Sequence, residues 1–237
     1  MNRIETITFV YNEEFLLPFF LKHYDFVDRL NIVYDTDSTD RTLSLLREDA
    51  KVNVIPFTFP YMMDDVLKVR FVNEIYASLA DCWVLNVDCD EFVFLNEYIK
   101  GSITSPINRV ALHNVYRNKV EKELDVKIPV KEQRRHGELD HRYYIKPIFV
   151  RSGLGVQWDP GNHTIKGKRT TVLPVLFTGA HWANADPCFC VDRRVRGRKE
   201  RQSEYNLKHR LTVQHHGITE QDVIEECRRH ENDPGLW

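Results

Sequence analysis

The chain's 237 residues, 42% hydrophobic and 29% charged, suffice for a large core and exclude a disordered or fibrous protein. Its longest apolar runs, such as Phe15-Leu16-Leu17-Pro18-Phe19-Phe20-Leu21, fall short of the roughly 18 residues that a membrane span needs, and acidic residues follow Met1 too early for a secretory signal. The net charge of -2 hides an asymmetry: residues 1–100 hold 9 Lys+Arg and 18 Asp+Glu, and residues 101–237 hold 24 and 17. An acidic half joined to a basic half suits a site with a metal cation on one side and polyanionic phosphates on the other. Five cysteines at irregular spacings argue against a disulfide framework and for a reducing, cytoplasmic location.

Ile4–Val10 is rich in β-branched residues and predicts a strand. A helical stripe follows the Tyr11–Glu14 turn through Leu16, Phe19, Phe20, His23, Tyr24 and Val27, with Pro18 tolerated in its first turn. Asn31–Tyr34 is a second strand. The polar loop Asp35–Asp40 offers Ser38, Thr39 and Asp40 as caps for a helix through Leu43 and Leu46. Val52–Ile55 is a third strand, Val66 to Leu79 a long helix, and Cys82–Val87 a fourth strand running into Asp88-Cys89-Asp90-Glu91. Strands alternating with helices imply a parallel sheet with right-handed crossovers. Its ligands bind outside the carboxyl ends of the strands, so Tyr11–Glu14, Asp35–Asp40 and Asp88–Glu91 are expected on one rim.

Beyond residue 100 the pattern loosens. Arg109–Tyr116, Tyr143–Val150, Gly153–Trp158 and Val172–Thr178 read as strands, and residues 117–142 as a charged, loop-like stretch. Thr219 with Asp222 forms a capping box for a C-terminal helix. A single domain over 1–237 is expected, with 1–100 binding nucleotide and metal and 101–237 forming the acceptor half.

Asp88 and Asp90 stand two apart at a strand end, where extended backbone points both to one side. Neighbouring carboxylates repel unless a cation or proton lies between them. Oxygen ligands suit Mg²⁺ or Mn²⁺. In order and spacing, Tyr11-Asn12-Glu13-Glu14, Asp35 with Ser38–Thr42, and Trp83–Phe92 with its Asp-x-Asp resemble the motifs of family 2-like glycosyltransferases of the GT-A fold. The resemblance covers residues 4–95, with Ala180-His181-Trp182 as a weaker later match. Where the family has Asp or Asn and then Gly in the second loop, this chain has Thr36 and Asp37.

The resemblance implies an α/β, GT-A-type nucleotide-diphospho-sugar transferase fold: a central mostly parallel sheet flanked by helices, with a mixed-sheet C-terminal half. It implies a soluble, metal-dependent transfer from a nucleotide-diphosphate sugar, a uridine one first, to a hydroxyl of a glycan or glycoconjugate, with inversion. Tyr11, Asn12 and Glu13 would line the nucleoside pocket, with Asp35 and Asp37 near the base or ribose. Asp88 would contact donor ribose and metal, Asp90 the metal, and His181 would complete the metal site. Lys68 or Arg70 would help bind the donor. A lipid-linked acceptor would be met at a membrane surface.

The basic run Arg193–Arg201 is read three ways: as solvated surface, as a segment closing over the donor phosphates through Arg196 and Arg198, or as a contact for nucleic acid. The last prefers interleaved aromatics, and only Tyr205 is near. General-base candidates are Glu138, Asp140, Asp159 and His163. His215-His216 reads as a solvated pair. Cys188-Phe189-Cys190 is spaced too closely for a zinc site. A sugar-phosphate nucleotidyltransferase would want a glycine-rich phosphate loop after the first strand, where this chain is acidic. A non-catalytic sugar-nucleotide-binding module is disfavoured by the intact Asp88 and Asp90.

Overall fold

The computed structural model describes residues 3–95, 103, 105–139, 144–167, 175–211, 217–233 and 235–236. Expectations for Tyr143 and for the start of the Val172 strand lie outside them. Four parallel strands, β1 (Arg3–Val10), β2 (Arg29–Asp35), β3 (Val52–Phe57) and β4 (Cys82–Asn86), stand in the order β3-β2-β1-β4. Between them run α1 (Leu17–His23), α2 (Thr42–Arg47) and α3 (Asp65–Ser78).

The sheet is buried on both faces because side chains alternate. Ile4 and Val10 of β1 join Leu16, Phe20, Ile32 and Leu46 on one face, whereas Ile7 joins Val33, Val69, Val72, Ile75 and Val84 on the other. The stripe of α3 is thus a core face, started by Asp64, whose carboxylate accepts the N–H groups of Val66 and Leu67. The stripe through Val27 overshoots α1, which ends at His23. The next residue, Tyr24, has its hydroxyl bound between the carbonyl of Glu91 and the N–H of Val93. Arg41, immediately before α2, gives no side-chain cap, but Asp40 Oδ1 accepts the N–H of Thr42, the first residue of α2, at 2.9 Å, while Ser38 and the other oxygen of Asp40 accept the N–H groups of Asn12 and Glu14.

The second half mixes directions in the same sheet. It contains β5 (Glu91–Val93), β6 (Ile107–Tyr116), β7 (His136–Glu138), β8 (Ile145–Arg151) and β11 (Val175–Asn184), in the order β4-β8-β6-β11-β5, with β7 on β6. Only β6 and β11 pair in parallel; β8 is antiparallel to both β4 and β6, and β5 to β11. Strands β9 (Gln157–Trp158) and β10 (Ile165–Lys166) form a separate hairpin, shorter than the strand expected from Gly153. Within 117–142 stand α4 (Val130–Gln133) and β7. After β11 come α5 (Pro187–Val191), α6 (Glu204–Lys208) and α7 (Glu220–His230), the last with the expected Thr219–Asp222 capping box. No helix among the described residues is long and apolar enough to cross a membrane.

Gly179 of β11 lies hard against β5. A Cβ there would sit 2.5 Å from the carbonyl oxygen of Phe92 and 2.9 Å from Leu112 Cδ2. Backbone cannot yield as a side-chain tip does, so Gly179→Ala is expected to cost about 1–3 kcal/mol, read from urea unfolding midpoints. An unchanged midpoint would contradict the β5–β11 packing.

Candidate functional site

The three polar clusters meet at the carboxyl edge of β1, β2 and β4. The first two are stitched together. Asn12 Oδ1 accepts the N–H of Thr39 at 2.7 Å, the N–H of Glu13 donates to Thr42 Oγ1 at 2.8 Å, and that of Glu14 to Asp40 Oδ2 at 2.9 Å. Asn12 adopts φ 49° to do this, a left-handed conformation that Asn tolerates. Its side chain is therefore a clamp between loops. Tyr11, Asn12, Glu13 and Glu14 all line a cleft of about 750 Å³, together with Lys68, Asp88, Lys146, His163, His181, Arg193, Arg198 and Arg201.

The pair Asp88 and Asp90 departs from the extended geometry expected. Residues 88–91 form a turn closed by the Glu91 N–H on the Asp88 carbonyl at 3.0 Å, so the two acids take separate partners. Asp88 Oδ1 meets Lys68 Nζ at 3.1 Å. Burial pushes its carboxyl up, but Lys68 and Lys146 outweigh that and hold it below the ordinary range. Asp90 is 1% exposed and accepts from Arg193 Nη1 through Oδ2, with His181 Nε2 at 3.4 Å. Burial again pushes up, and Arg193 with His181 again outweighs it, leaving Asp90 well below the carboxylate range. Arg193 also grips Glu13 Oε1, at 2.7 and 3.0 Å. Glu13 differs in sign: burial dominates there and raises its carboxyl.

His181 lies inside β11, not after a strand, and opposite Glu91 of β5. The N–H of the next residue, Trp182, donates to the Asp90 carbonyl at 2.7 Å, which fixes the imidazole against Asp90. Asn114 Oδ1 meets Nδ1 at 2.7 Å. An amide oxygen only accepts, so Nδ1 carries a proton, and Nε2 is the nitrogen that faces Asp90. A ring nitrogen facing a carboxylate calls for a proton or a cation between them. Asp90 Oδ1 and Glu13 Oε2 are buried without a hydrogen-bond partner. These acceptors fit a divalent cation in ligand chemistry, but Arg193 is seated on both acids. Among the described residues, no group of three or more His, Cys, Asp and Glu is arranged to hold a metal.

Below the turn, Glu91 is buried against Lys146 Nζ at 2.5 Å, and its other oxygen accepts the Asp88 N–H at 3.1 Å. Lys146 stays charged: burial would lower it, but Glu91 and Asp88 raise it further.

The basic run sorts its arginines by tertiary partner. It continues α5 through a wide π-helical turn, Asp192–Arg198, and a tight turn, Lys199–Arg201. Arg193 points into the cleft. Arg194 pairs with Glu226 at 2.9 Å, and Arg196 with Asp192 and Glu220 at 2.5 and 2.9 Å. Arg201 Nη2 reaches Asp35 Oδ2 at 2.9 Å and Asp37 at 3.4 Å, while its guanidinium lies 3.5 Å from the centroid of the Tyr11 ring. Arg198 lines the cleft without an ion pair to a described residue. Arg193, Arg194, Arg196 and Arg201 thus all have acid partners within the chain. Arg193 and Arg201 join the basic half to acids of the acidic half, whereas Arg194 and Arg196 pair within the basic half.

Several expected residues lie elsewhere. Arg70 is exposed and pairs with Glu74 at 3.1 Å, outside the cleft. Arg196 reaches only the rim, committed to its two acids. Asp159 is held by Thr164 at 2.5 Å and Lys166 at 2.8 Å, and its neighbours Pro160, Gly161 and His163 line the wall instead. Glu138 is exposed on β7, away from the cleft lining. Asp140 and His215-His216 lie outside the described residues. Arg193, Arg201 and Lys146 line the cleft and Asn114 stands behind His181; sequence reasoning singled out none of the four individually. The arginines belong to a run it flagged, but one in which spacing gives no inward face.

No family model matches the chain, and no curated protein matches it. Among solved structures it is similar to S. aureus TarS 1-349 in complex with UDP, at 13% identity over 97% of this chain and 88% of that one, with a TM-score of 0.44. It is also similar to TarS 1-349 in complex with UDP-GlcNAc, at 18% identity over 63% and 45%, TM-score 0.39. A third is glucosyl-3-phosphoglycerate synthase from Mycobacterium tuberculosis with Mn²⁺, UDP and phosphoglyceric acid, at 15% identity over 48% and 43%, TM-score 0.34. Against TarS 1-349 alone the chain spans 47% of the solved protein's length. At these scores the likenesses carry no functional weight.

Proposed function

We propose that the protein is a glycosyltransferase of GT-A type that moves a sugar from a nucleotide diphosphate to an acceptor hydroxyl. The observation carrying this reading is the convergence of Tyr11, Asp35, Asp88, Asp90 and His181 on the carboxyl edge of one sheet, faced by a basic strap across a cleft of about 750 Å³. Tyr11 offers a ring face for the base, and Asp35 an acceptor for a base N–H or ribose hydroxyl. Lys68 and Arg198 offer positive charge to the diphosphate. A bound Mn²⁺ or Mg²⁺, held by Asp90 and His181 with Asp88 beside them, would supply Lewis-acid neutralisation of the leaving nucleoside diphosphate. Of the base candidates, His163 lines the cleft. In an inverting transfer it would take the acceptor's proton as the oxygen bonds to the anomeric carbon and the carbon–oxygen bond to phosphate breaks.

A thermal-shift panel of uridine and guanosine diphosphate sugars, with and without Mn²⁺, tests the reading. A donor at 100 times its dissociation constant stabilises by about 2.7 kcal/mol, and for a chain of this length each kcal/mol moves Tm by about 2–4 °C. A uridine sugar with Mn²⁺ is expected to give a shift of that size. A flat response across the panel would refute the assignment.

A further inference from the structure

The strap occupies two places that the proposed donor would need. Arg193 is 8% exposed in its side chain and sits on Glu13 and Asp90, the latter an acid that would hold the proposed divalent cation. Arg201 covers the Tyr11 ring face and donates to Asp35, as a stacked nucleobase bearing an N–H would. The strap is also fastened. The Met63 N–H donates to the Arg201 carbonyl at 2.9 Å, and the Ser203 N–H to the Met63 carbonyl at 3.0 Å. Fully buried Asn206 of α6, just beyond the strap, is tied to Asp65 at the start of α3 through both ends of its amide, at 3.0 and 3.2 Å. A clamp waiting to grip phosphates would hold its arginines toward the open cleft, as Arg198 does. Arg193 and Arg201 are instead engaged with the site's own acids.

We propose that residues 193–201 form an internal plug, with Arg193 holding the cation position and Arg201 the nucleobase position, and that donor loading exchanges for both. Coulomb's law gives the sense of the exchange. Arg193 and a divalent ion cannot share Glu13 and Asp90 without strong repulsion at contact distance. A seated plug therefore lowers the apparent affinity for each ligand by the fraction of time the site stands open. The Arg201 half rests on the donor-site reading above; the Arg193 half requires only that the acids attract a cation.

The direct test is a titration with Mn²⁺ alone, followed by electron paramagnetic resonance, on the wild-type chain and R193M. If the plug is seated nine-tenths of the time, R193M binds one Mn²⁺ about tenfold more tightly; equal or weaker binding overturns the proposal. R193M removes the counter-charge of two buried acids, which costs stability, so the wild-type chain supplies a second measurement. On adding Mn²⁺ and UDP, amide hydrogen exchange at Met63 and Ser203 is expected to rise as the strap unfastens, and a fall, meaning closure over the ligand, overturns the plug. R201A is expected to bind UDP about tenfold more tightly by the same arithmetic, and weaker binding refutes the nucleobase position. If neither wild type nor R201A binds any nucleotide, the donor reading fails together with the Arg201 half, while the Mn²⁺ titration still decides Arg193.

Discussion

Asp90→Asn is expected to lower nucleotide release from the donor sugar by about 10²–10³-fold, the size of loss seen when one preorganised electrostatic group is removed from a closed site. Asp90 joins β4's turn to β11 and the strap: its carboxylate meets Arg193 and His181, and its carbonyl accepts the Trp182 N–H. The asparagine is isosteric, so the backbone bond survives. The charge change does not threaten folding either. Glu13 and Asp90 set two acids against the one guanidinium of Arg193. Asp90→Asn leaves the Glu13–Arg193 pair balanced. Initial rates combined with circular-dichroism melting separate the two effects. A variant that melts like wild type and retains turnover within about tenfold would remove Asp90 from the chemistry.

Lys146→Met has the opposite profile, a folding defect first. Glu91 and Lys146 are 0% and 5% exposed in their side chains. Stripping the cation from a buried pair leaves an uncompensated charge, which costs about 3–5 kcal/mol. The loss depends on pH, and its sign follows from linkage. Without Lys146 the buried Glu91 carboxyl is pushed higher still in the folded state than in the unfolded chain. The folded state then binds its proton more readily, so stability is fuller at low pH and falls as pH rises through the folded pKa. Urea unfolding is therefore expected to show Lys146→Met closest to wild type near pH 5 and furthest from it near pH 8. Glu91→Gln with Lys146→Met is expected to recover most of the loss, since replacing both charges removes the desolvation penalty. A single variant as stable as wild type at pH 8 would show that the pair carries no such strain. Because Glu91 also accepts the Asp88 N–H, the same variant loosens the turn that presents Asp88.

The strap's arginines show where reading the chain alone stops. The run 193–201 stood out by charge density, and Arg196 and Arg198 were the natural choices as phosphate ligands. The inward residues are Arg193, Arg198 and Arg201. Selection is made by acids brought from far along the chain: Glu13, Asp35 and Asp90 take two arginines inward, and Glu220 and Glu226 on α7 take two outward. The π-helical turn compounds this, because its i→i+5 spacing breaks the 3.6-residue periodicity by which a helix face is read.

The residues by themselves determined the first four strands, their alternation with helices, and hence the shared edge on which Tyr11, Asp35 and Asp88 stand. Those features follow from local β-propensity, period and the right-handed crossover, all of which act within about thirty residues. Tertiary structure alone decided that β5 pairs with β11 and sets His181 against Asp90, that residues 88–91 turn rather than extend, and that each acid of the pair has its own cation. Such contacts join residues up to 103 positions apart, and a buried charge accepts whichever partner the packed chain brings within reach.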